Sequence, residues 1–271
     1  MIRFLYLMFF WSTGLFAQNK MFLYDYKFIP DSTNRARIEN RIMALNIDQN
    51  KSEFYEVARF QSDSTLAADS KKGLFSMPPN KNMIDERIVK SKNSTKIDFI
   101  KALGLDSKYF VTQDVILNWK LLPEFGNVLG YKVQKAIVDF GGRSWEAWFS
   151  SEIPISDGPY KFFGLPGLIL KIQDKNANHV FELQAIRDYK ANFVYPMVNN
   201  FNRVNCTYSQ FVSAYKTYRK NPAANLVGRI PDQKDINGVF HSGAELIREI
   251  EKEMLATIAK DNNIIELDLL K

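Results

Sequence analysis

The chain has 271 residues, with 36 Lys and Arg against 30 Asp and Glu and a formal net charge of +6. With 46% apolar and 24% charged residues, its composition is that of an ordinary globular protein, which excludes disordered, collagen-like and polytopic membrane proteins. A single Cys excludes an intramolecular disulfide and a multi-thiolate metal site, and two His leave little room for a histidine metal site. The mild, scattered positive charge does not indicate nucleic-acid binding.

The first segment has the features of an export signal. Arg3 gives a positive start, residues 4–16 are largely apolar, and the small residue Ala17 precedes a polar continuation. The apolar run is shorter than the ~20 residues of a membrane-spanning helix, so the sequence predicts a cleaved signal peptide over residues 1–17. We expect residues 18–271 to form one exported domain without a transmembrane segment, placed in the periplasm, at the outer membrane or outside the cell.

The first half of the mature chain is predicted to contain several strands and one surface excursion. Composition and alternation favour strands, and a stretch rich in Ser, Asp, Lys, Gly and Pro favours a surface excursion that includes a little helix. The predicted strands are Met21–Ile29, Arg35–Ile47, Glu53–Phe60 and a strand carrying Val115, Leu117, Trp119 and Leu121 on one face, and the excursion is Gln61–Asn82.

Two hairpins are predicted to the level of individual residue pairs. Gly141-Gly142 lies between two strand-like runs, and a two-residue turn of this type requires positive φ angles that glycine supplies. A second pair of alternating runs flanks residues 174–179. The predicted cross-strand pairs are Phe140 with Arg143, Val138 with Trp145, Ala136 with Ala147, Lys135 with Trp148, Ile172 with Phe181 and Lys171 with Glu182.

Two helices and a last strand are predicted near the end of the sequence. Thr207 and Ser242 each begin a capping box, with Gln210 and Glu245 three residues later. The stripe of Ile247, Ile250, Met254 and Ile258 is typical of a core-facing helix, and Ile264–Leu270 alternates like a strand. The predicted fold class is α+β, with a predominantly antiparallel, curved β-sheet covered by two or three helices.

One motif stands out. Residues 143–174 read RSWEAWFSSEIPISDGPYKFFGLPGLILKIQD. This stretch resembles the GLPGLI family of exported Gram-negative bacterial proteins of uncharacterised function, in the six-residue string and in the preceding AWF, EIPI and GP elements. The resemblance covers about residues 130–190, and it implies export and a largely β domain but no reaction and no cofactor. Family members often carry Cys where this chain has Val133, so a thiol-dependent role is not expected here.

The motif is expected to form a rigid corner. Pro166 and Gly167 suit the two central positions of a type II turn, because Pro fixes φ and Gly supplies a positive φ. In the first interpretation, the corner does no more than join two strands. In the second, it presents a surface to a ligand or partner, since rigid loops on a sheet often carry binding surfaces. The candidate surface consists of Trp148, Tyr160, Phe162, Gly164, Leu165, Pro166 and Gly167.

The sequence contains none of the common catalytic signatures. It lacks Gly-x-Ser-x-Gly, His-Glu-x-x-His, Cys-x-x-Cys, an EF-hand loop and a phosphate-binding loop. His179 and His241 are expected to be solvated or capping residues, and Glu146 and Glu152 to be ordinary exposed side chains. Cys206 is expected to be a small buried apolar residue, or else a free thiol that pairs with a partner. No catalytic residue, metal ligand or cofactor is predicted.

Three hypotheses about function follow. The first is a non-enzymatic periplasmic or cell-surface protein that binds an apolar ligand or an envelope or outer-membrane protein. The second is a carboxylate-dependent hydrolase of envelope polymers, which would require paired acids in a cleft. The third is a structural accessory of an outer-membrane complex, which would have a filled sheet and an exposed apolar patch.

Overall fold

The computed structural model describes residues 19–74, 76–77, 83–104, 106–189, 193–196, 198 and 201–271. The predicted signal peptide lies outside the described residues. The helices are α1 (Val57–Lys71), α2 (Tyr208–Lys220) and α3 (Gly243–Ala259). The strands are β1 (Asn19–Phe28), β2 (Glu39–Ile47), β3 (Lys51–Glu56), β4 (Arg87–Ser91), β5 (Lys96–Leu103), β6 (Ser107–Asp114), β7 (Lys120–Val128), β8 (Tyr131–Phe140), β9 (Arg143–Ser150), β10 (Leu168–Asp174), β11 (His179–Tyr189), β12 (Asn202–Thr207), β13 (Gln233–Lys234) and β14 (Phe240–His241).

Twelve of these strands form one sheet, in the order β12-β6-β5-β4-β3-β2-β1-β11-β10-β9-β8-β7. Neighbouring strands are antiparallel except β12 and β6, which are parallel. The strands β13 and β14 form a separate small hairpin. The fold is therefore α+β, with a mainly antiparallel sheet and three helices. Among the described helices, none combines the length and apolarity needed to cross a bilayer.

Both predicted hairpins have the expected register. Phe140 pairs with Arg143 and Val138 with Trp145 across the Gly141-Gly142 turn. In the second hairpin, Ile172 pairs with Phe181 and Lys171 with Glu182. In each case the apolar residues lie on one face of the sheet, which specifies the register because a slip by one residue would reverse both faces.

The apolar side chains of the central strands lie on one face, which we call the covered face. It is covered by residues 151–167, by α2 and by the last residues of the chain, which contribute Phe162, Phe211 and Leu269 to the core. On the opposite face, α1 packs its Phe60 ring against Tyr55, with 5.2 Å between ring centroids. The covered face includes Tyr26, Phe54, Ile88, Phe99, Trp145, Ile172 and Phe181.

The predicted strand Glu53–Phe60 is wrong in its second half. The strand ends at Glu56 and the chain continues directly as α1, which also occupies much of the predicted excursion Gln61–Asn82. A start signal for this helix is missing because the residue before it, Glu56, makes no side-chain capping bond. By contrast, Thr207 and Gln210 form the predicted capping box of α2.

The strand predicted through Val115, Leu117, Trp119 and Leu121 is also wrong over residues 115–119. This segment crosses the covered face instead, and the Trp119 indole donates a hydrogen bond to the Phe163 carbonyl at 2.8 Å. Regular pairing resumes only at Lys120, the first residue of β7. The alternation of apolar residues here reflects packing against a loop rather than against a neighbouring strand.

Two expectations near the end of the chain are corrected. Ile264–Leu270 is not a strand: its second half is a 3-10 turn over Leu267–Leu270. The apolar stripe of α3 is not in the core, because Ile247, Ile250, Met254 and Ile258 are only half-buried. Helix α3 contacts α2, and its stripe remains partly exposed.

Candidate ligand-binding cavity

The motif residues are mostly buried beneath the surface rather than presented on it. Phe162 is fully buried and its ring packs on Trp145 at 4.7 Å between centroids. Tyr160 and Leu165 are also buried. Among the predicted surface residues, only Gly164 and Pro166 are exposed, whereas Trp148 is half-buried and Gly167 buried. Residues 159–163 turn inward because the aromatic covered face must be shielded from water, so the predicted seven-residue surface is not formed.

The Pro166-Gly167 corner differs from the predicted type II turn. The Gly167 N–H donates to the Leu165 carbonyl at 2.8 Å, and the Leu168 N–H donates to Ile153 instead of closing the turn. A Cβ on Gly167 would lie 2.1 Å from the backbone oxygen of Ser150. Glycine is required here because the corner passes so close to the end of β9.

A cavity of about 170 Å³ lies between the covered face and the segments above it. Phe211 of α2 forms one side, and Tyr160 and Lys161 form another. A further wall is formed by residues 261–266, which we call the closing segment. The sheet contributes the largely aromatic floor: Tyr26, Phe28, Met43, Phe54, Ile88, Phe99 and Phe181.

The mouth of the cavity is marked by its more exposed charged residues. The side chains of Asp261 and Lys101 are 54% and 29% exposed, and that of Glu86 is 15% exposed. Lys101 Nζ donates to Glu86 Oε2 at 2.8 Å. Burial alone would lower the pKa of Lys101, but the Glu86 carboxylate raises it, so Lys101 keeps its positive charge.

The closing segment is held in place by Arg143 and His179. The Arg143 guanidinium donates to Asn263 Oδ1 at 2.6 Å and to the Ile264 carbonyl at 2.7 Å. The Gly141 backbone approaches the same segment, since a Cβ there would lie 2.9 Å from Glu266 Cα. The Gly141-Gly142 turn therefore serves as a docking surface as well as a hairpin turn.

His179 is buried rather than solvated, which corrects the expectation from the sequence. Its Nε2 lies 2.7 Å from the Asn263 carbonyl, and its Nδ1 lies 2.8 Å from the Tyr26 hydroxyl. Since a carbonyl only accepts, Nε2 carries the hydrogen and Nδ1 accepts from Tyr26. Burial and the nearby Arg143 guanidinium lower the pKa of His179 to about 4, so the ring is neutral.

A buried carboxylate on the wall of the cavity, Glu266, accepts hydrogen bonds from three side chains. It accepts from Lys161 Nζ at 2.5 Å, from the Tyr160 hydroxyl at 2.6 Å and from the Tyr208 hydroxyl at 3.0 Å. Burial alone would raise the pKa of Glu266, but Lys161 and these hydrogen bonds lower it below its ordinary value. Lys161 also donates to Gln113 at 2.7 Å. Glu266 is thus a fixed, ionised group.

The remaining candidates from the sequence lie away from this cavity. Glu146 contacts Lys135 at 3.4 Å, and Glu152 is exposed and accepts from the Lys132 N–H. Cys206 is half-buried on β12 and packs against the core. His241 lies on β14, 3.7 Å from Asp235. Within the described part of the chain, no group of three or more His, Cys, Asp or Glu is placed to hold a metal ion.

Sequence reasoning missed the polar residues of the cavity. Glu86, Lys161, Asn263 and Glu266 are common residue types in segments without a repeating pattern, and their partners are remote in sequence. The one available signal was Lys161 itself, a charged residue in the otherwise aromatic run from Tyr160 to Phe163.

Comparison with known proteins finds a family match over part of the sequence. Residues 135–171, which span most of β8 to β10 and the motif, match a family described as "Protein of unknown function (Porph_ging)". The matched stretch is a minority of the chain, and its description does not contain the GLPGLI name. Among curated proteins, none matches this sequence.

The fold is similar to that of PNGF-II in two crystal forms, in space groups P21 and C2. Each comparison has a TM-score of 0.51 and 17% sequence identity and covers 73% of this chain. The chain spans about a third of PNGF-II, with 33% and 32% of those chains covered. At this identity the similarity concerns the fold alone.

Proposed function

We propose that this protein is an exported, non-enzymatic binding protein that holds a small apolar ligand in the cavity. The observation that carries this proposal is the cavity itself, with an aromatic floor, a mouth marked by charged residues and a wall of buried, fixed polar groups. Ligand sites are typically apolar concavities with a few placed polar groups. The ligand is either free or the apolar group of an envelope molecule.

The size of the cavity limits the ligand. An engineered cavity of about 150 Å³ lined by apolar side chains holds one benzene molecule. At about 170 Å³, this cavity has room for one aromatic ring or a short branched alkyl group. Larger ligands would leave the rest of their structure at the mouth, near Glu86 and Lys101.

The hydrolase alternative has one observation in its favour, since Glu86 and Glu266 lie on either side of the Tyr160 hydroxyl. A carboxylate pair of this kind needs one member with a raised pKa to donate a proton. Glu266 has a lowered pKa and contacts Lys161, and Glu86 contacts Lys101. The lowered pKa makes Glu266 a poor proton donor, which disfavours the hydrolase alternative. The structural accessory is less favoured because the covered face is not completely filled.

Toluene tests the binding proposal, because it matches the cavity in size and apolarity. We expect toluene to raise the melting temperature of the protein in a saturable manner, since a ligand that binds only the folded state stabilises it. Ile88→Phe, which places extra atoms in the cavity, should abolish this response. The matched control is Ile42→Phe, at an exposed position on β2, which should keep it.

Two results would contradict the binding proposal. One is the absence of any saturable response to toluene in the native protein. The other is an equal response in Ile88→Phe and Ile42→Phe, because binding would then occur elsewhere. Toluene-dependent chemical-shift changes confined to cavity residues would support the assignment independently of stability.

Export is tested separately. The basic start, the apolar run and Ala17 favour cleavage at or within a few residues of Gln18. We expect N-terminal sequencing of the protein from the cell envelope to begin there. Recovery of the envelope protein with an intact Met1 would overturn this part of the proposal.

A further inference from the structure

One hydroxyl in the cavity faces two carboxylates. The Tyr160 oxygen lies 2.6 Å from Glu266 Oε1 and 3.3 Å from Glu86 Oε1. A tyrosine hydroxyl has a single hydrogen, so it donates fully to one acceptor at a time. The shorter distance assigns that hydrogen to Glu266. Burial and the Glu266 carboxylate raise the pKa of Tyr160, so the hydroxyl keeps its hydrogen.

The second oxygen of Glu86 is consequently left with only a long, shared contact to a donor. Its Oε2 accepts from Lys101 at 2.8 Å, and its Oε1 lies 3.3 Å from the Tyr160 hydroxyl, whose hydrogen is assigned to Glu266. The ion pair with Lys101 fixes the orientation of the carboxylate, and Glu86 lines the cavity near its mouth. A partly buried carboxylate oxygen whose neighbouring hydroxyl donates elsewhere keeps acceptor capacity, so this oxygen favours a ligand that supplies a donor.

The donors of the cavity are already engaged, which determines what kind of ligand fits. Lys161 donates to Gln113 and Glu266, and its ammonium lies 3.9 Å from the centre of the Phe99 ring. The His179 N–H is bound to Asn263. A carboxylate or carbonyl ligand would therefore find no free donor among these buried groups, and at the mouth it would meet Lys101 already paired with Glu86.

We infer that the cavity selects ligands in which a ring-sized apolar group carries a hydrogen-bond donor, and that Glu86 Oε1 accepts that hydrogen bond. This inference rests on the proposed binding function and adds the ligand class and the residue that determines specificity. A hydroxyl or N–H next to the ring would lie at the mouth, with the ring on the aromatic floor.

Phenol and toluene test this inference as a matched pair, because they are nearly equal in size and differ in one donor. The hydroxyl of phenol loses hydration on entering an apolar site, so a cavity without an acceptor should prefer toluene. We expect the native protein to bind phenol at least as tightly as toluene by calorimetric titration at neutral pH. Tighter binding of toluene would overturn the inference without any mutation.

The variant Glu86→Gln replaces the carboxylate acceptor by a neutral amide of the same shape. Since hydrogen bonds to ionised groups are about twice as strong as neutral ones, the phenol-to-toluene affinity ratio should fall about tenfold. The matched control is Glu182→Gln, which alters a carboxylate paired with Lys171 at 3.3 Å on the opposite face of the sheet. It should leave the ratio unchanged.

The outcomes separate the two proposals. If toluene binds and Ile88→Phe abolishes binding, but Glu86→Gln leaves the ratio unchanged, the donor inference is wrong and the binding function stands. If neither probe binds the native protein, the binding function is wrong and the inference falls with it. A lower ratio in Glu86→Gln but not in Glu182→Gln supports both.

Discussion

Arg143 and Asn263, 120 residues apart in the chain, are joined by a hydrogen bond of 2.6 Å from the guanidinium Nη2 to the amide Oδ1. Arg143 is the first residue of β9 and Asn263 belongs to the closing segment. The same guanidinium forms a buried ion pair with Asp174 at 3.1 Å. The hairpin predicted from the sequence thus carries the residue that fixes the wall of the cavity.

Arg143→Met should destabilise the protein by ~3–5 kcal/mol, because it leaves the Asp174 carboxylate buried without its partner. It should also release the closing segment, so amide hydrogens of residues 263–266 should exchange faster than those of β10. Urea unfolding and hydrogen exchange measure the two effects. Arg187→Met, at an exposed position on β11, should change stability by less than ~0.5 kcal/mol. Equal losses in both variants would contradict this assignment.

The two tryptophans of β9 should differ in their contribution to stability. Trp145 is fully buried against Phe162, and its indole donates to the Phe140 carbonyl at 3.0 Å. Trp148 lies on the other face and is half-buried. We expect Trp145→Ala to cost ~3–5 kcal/mol and Trp148→Ala clearly less. Chemical denaturation of the two variants compares them directly, and similar losses would mean that both faces are equally covered.

Two glycines of the motif provide a matched test of the corner. A Cβ on Gly167 would clash with Ser150, whereas a Cβ on Gly164 would find its nearest neighbour, the Trp119 indole, at 3.8 Å. Gly164 has a φ of +95°, so Gly164→Ala should cost ~1 kcal/mol from backbone strain. Gly167→Ala should cost at least ~2 kcal/mol more, because the backbone must also shift. Equal thermal stabilities of the two variants would contradict the close approach at Ser150.

Stability should decrease in mild acid because of His179. Its pKa is about 4 in the folded protein and about 6.5 in the unfolded chain. The unfolded chain therefore binds a proton that the folded imidazole does not. The contribution of His179 to the free energy of unfolding is fully present above pH ~6.5 and is lost as the pH falls toward ~4. We expect a loss of ~2 kcal/mol from this group between about pH 7.5 and about pH 5.

Urea unfolding at the two pH values measures the loss. His179→Gln should be less sensitive to this change in pH than the native protein. His241→Gln, which changes the other histidine of the chain, should keep the full dependence. If His179→Gln retains it as well, His179 is not the group responsible.

The sequence predicted those parts of the fold that depend on local patterns. In the β8–β9 hairpin, alternation and the Gly141-Gly142 turn determine the pairing, so Val138 opposite Trp145 could be predicted. Helix α1 was missed because its first turn has no cap, and the strand at 115–119 was wrong because apolar alternation also arises in a segment that packs across a sheet. The cavity could not be predicted, since Glu266 meets Lys161 only after the whole chain has folded.

The central position of β1 has a consequence for the order in which the chain can fold. Tyr26 on β1 meets His179 on β11 across 153 residues, and β1 pairs with β11 along one side. During synthesis, that side of β1 exposes unpaired backbone groups beside Phe22 and Tyr24 until β11 has emerged. An unpaired strand edge of this kind favours aggregation. Contacts between residues this distant in sequence also form slowly. The pairing of β1 on this side therefore cannot be completed until residue 189 is available.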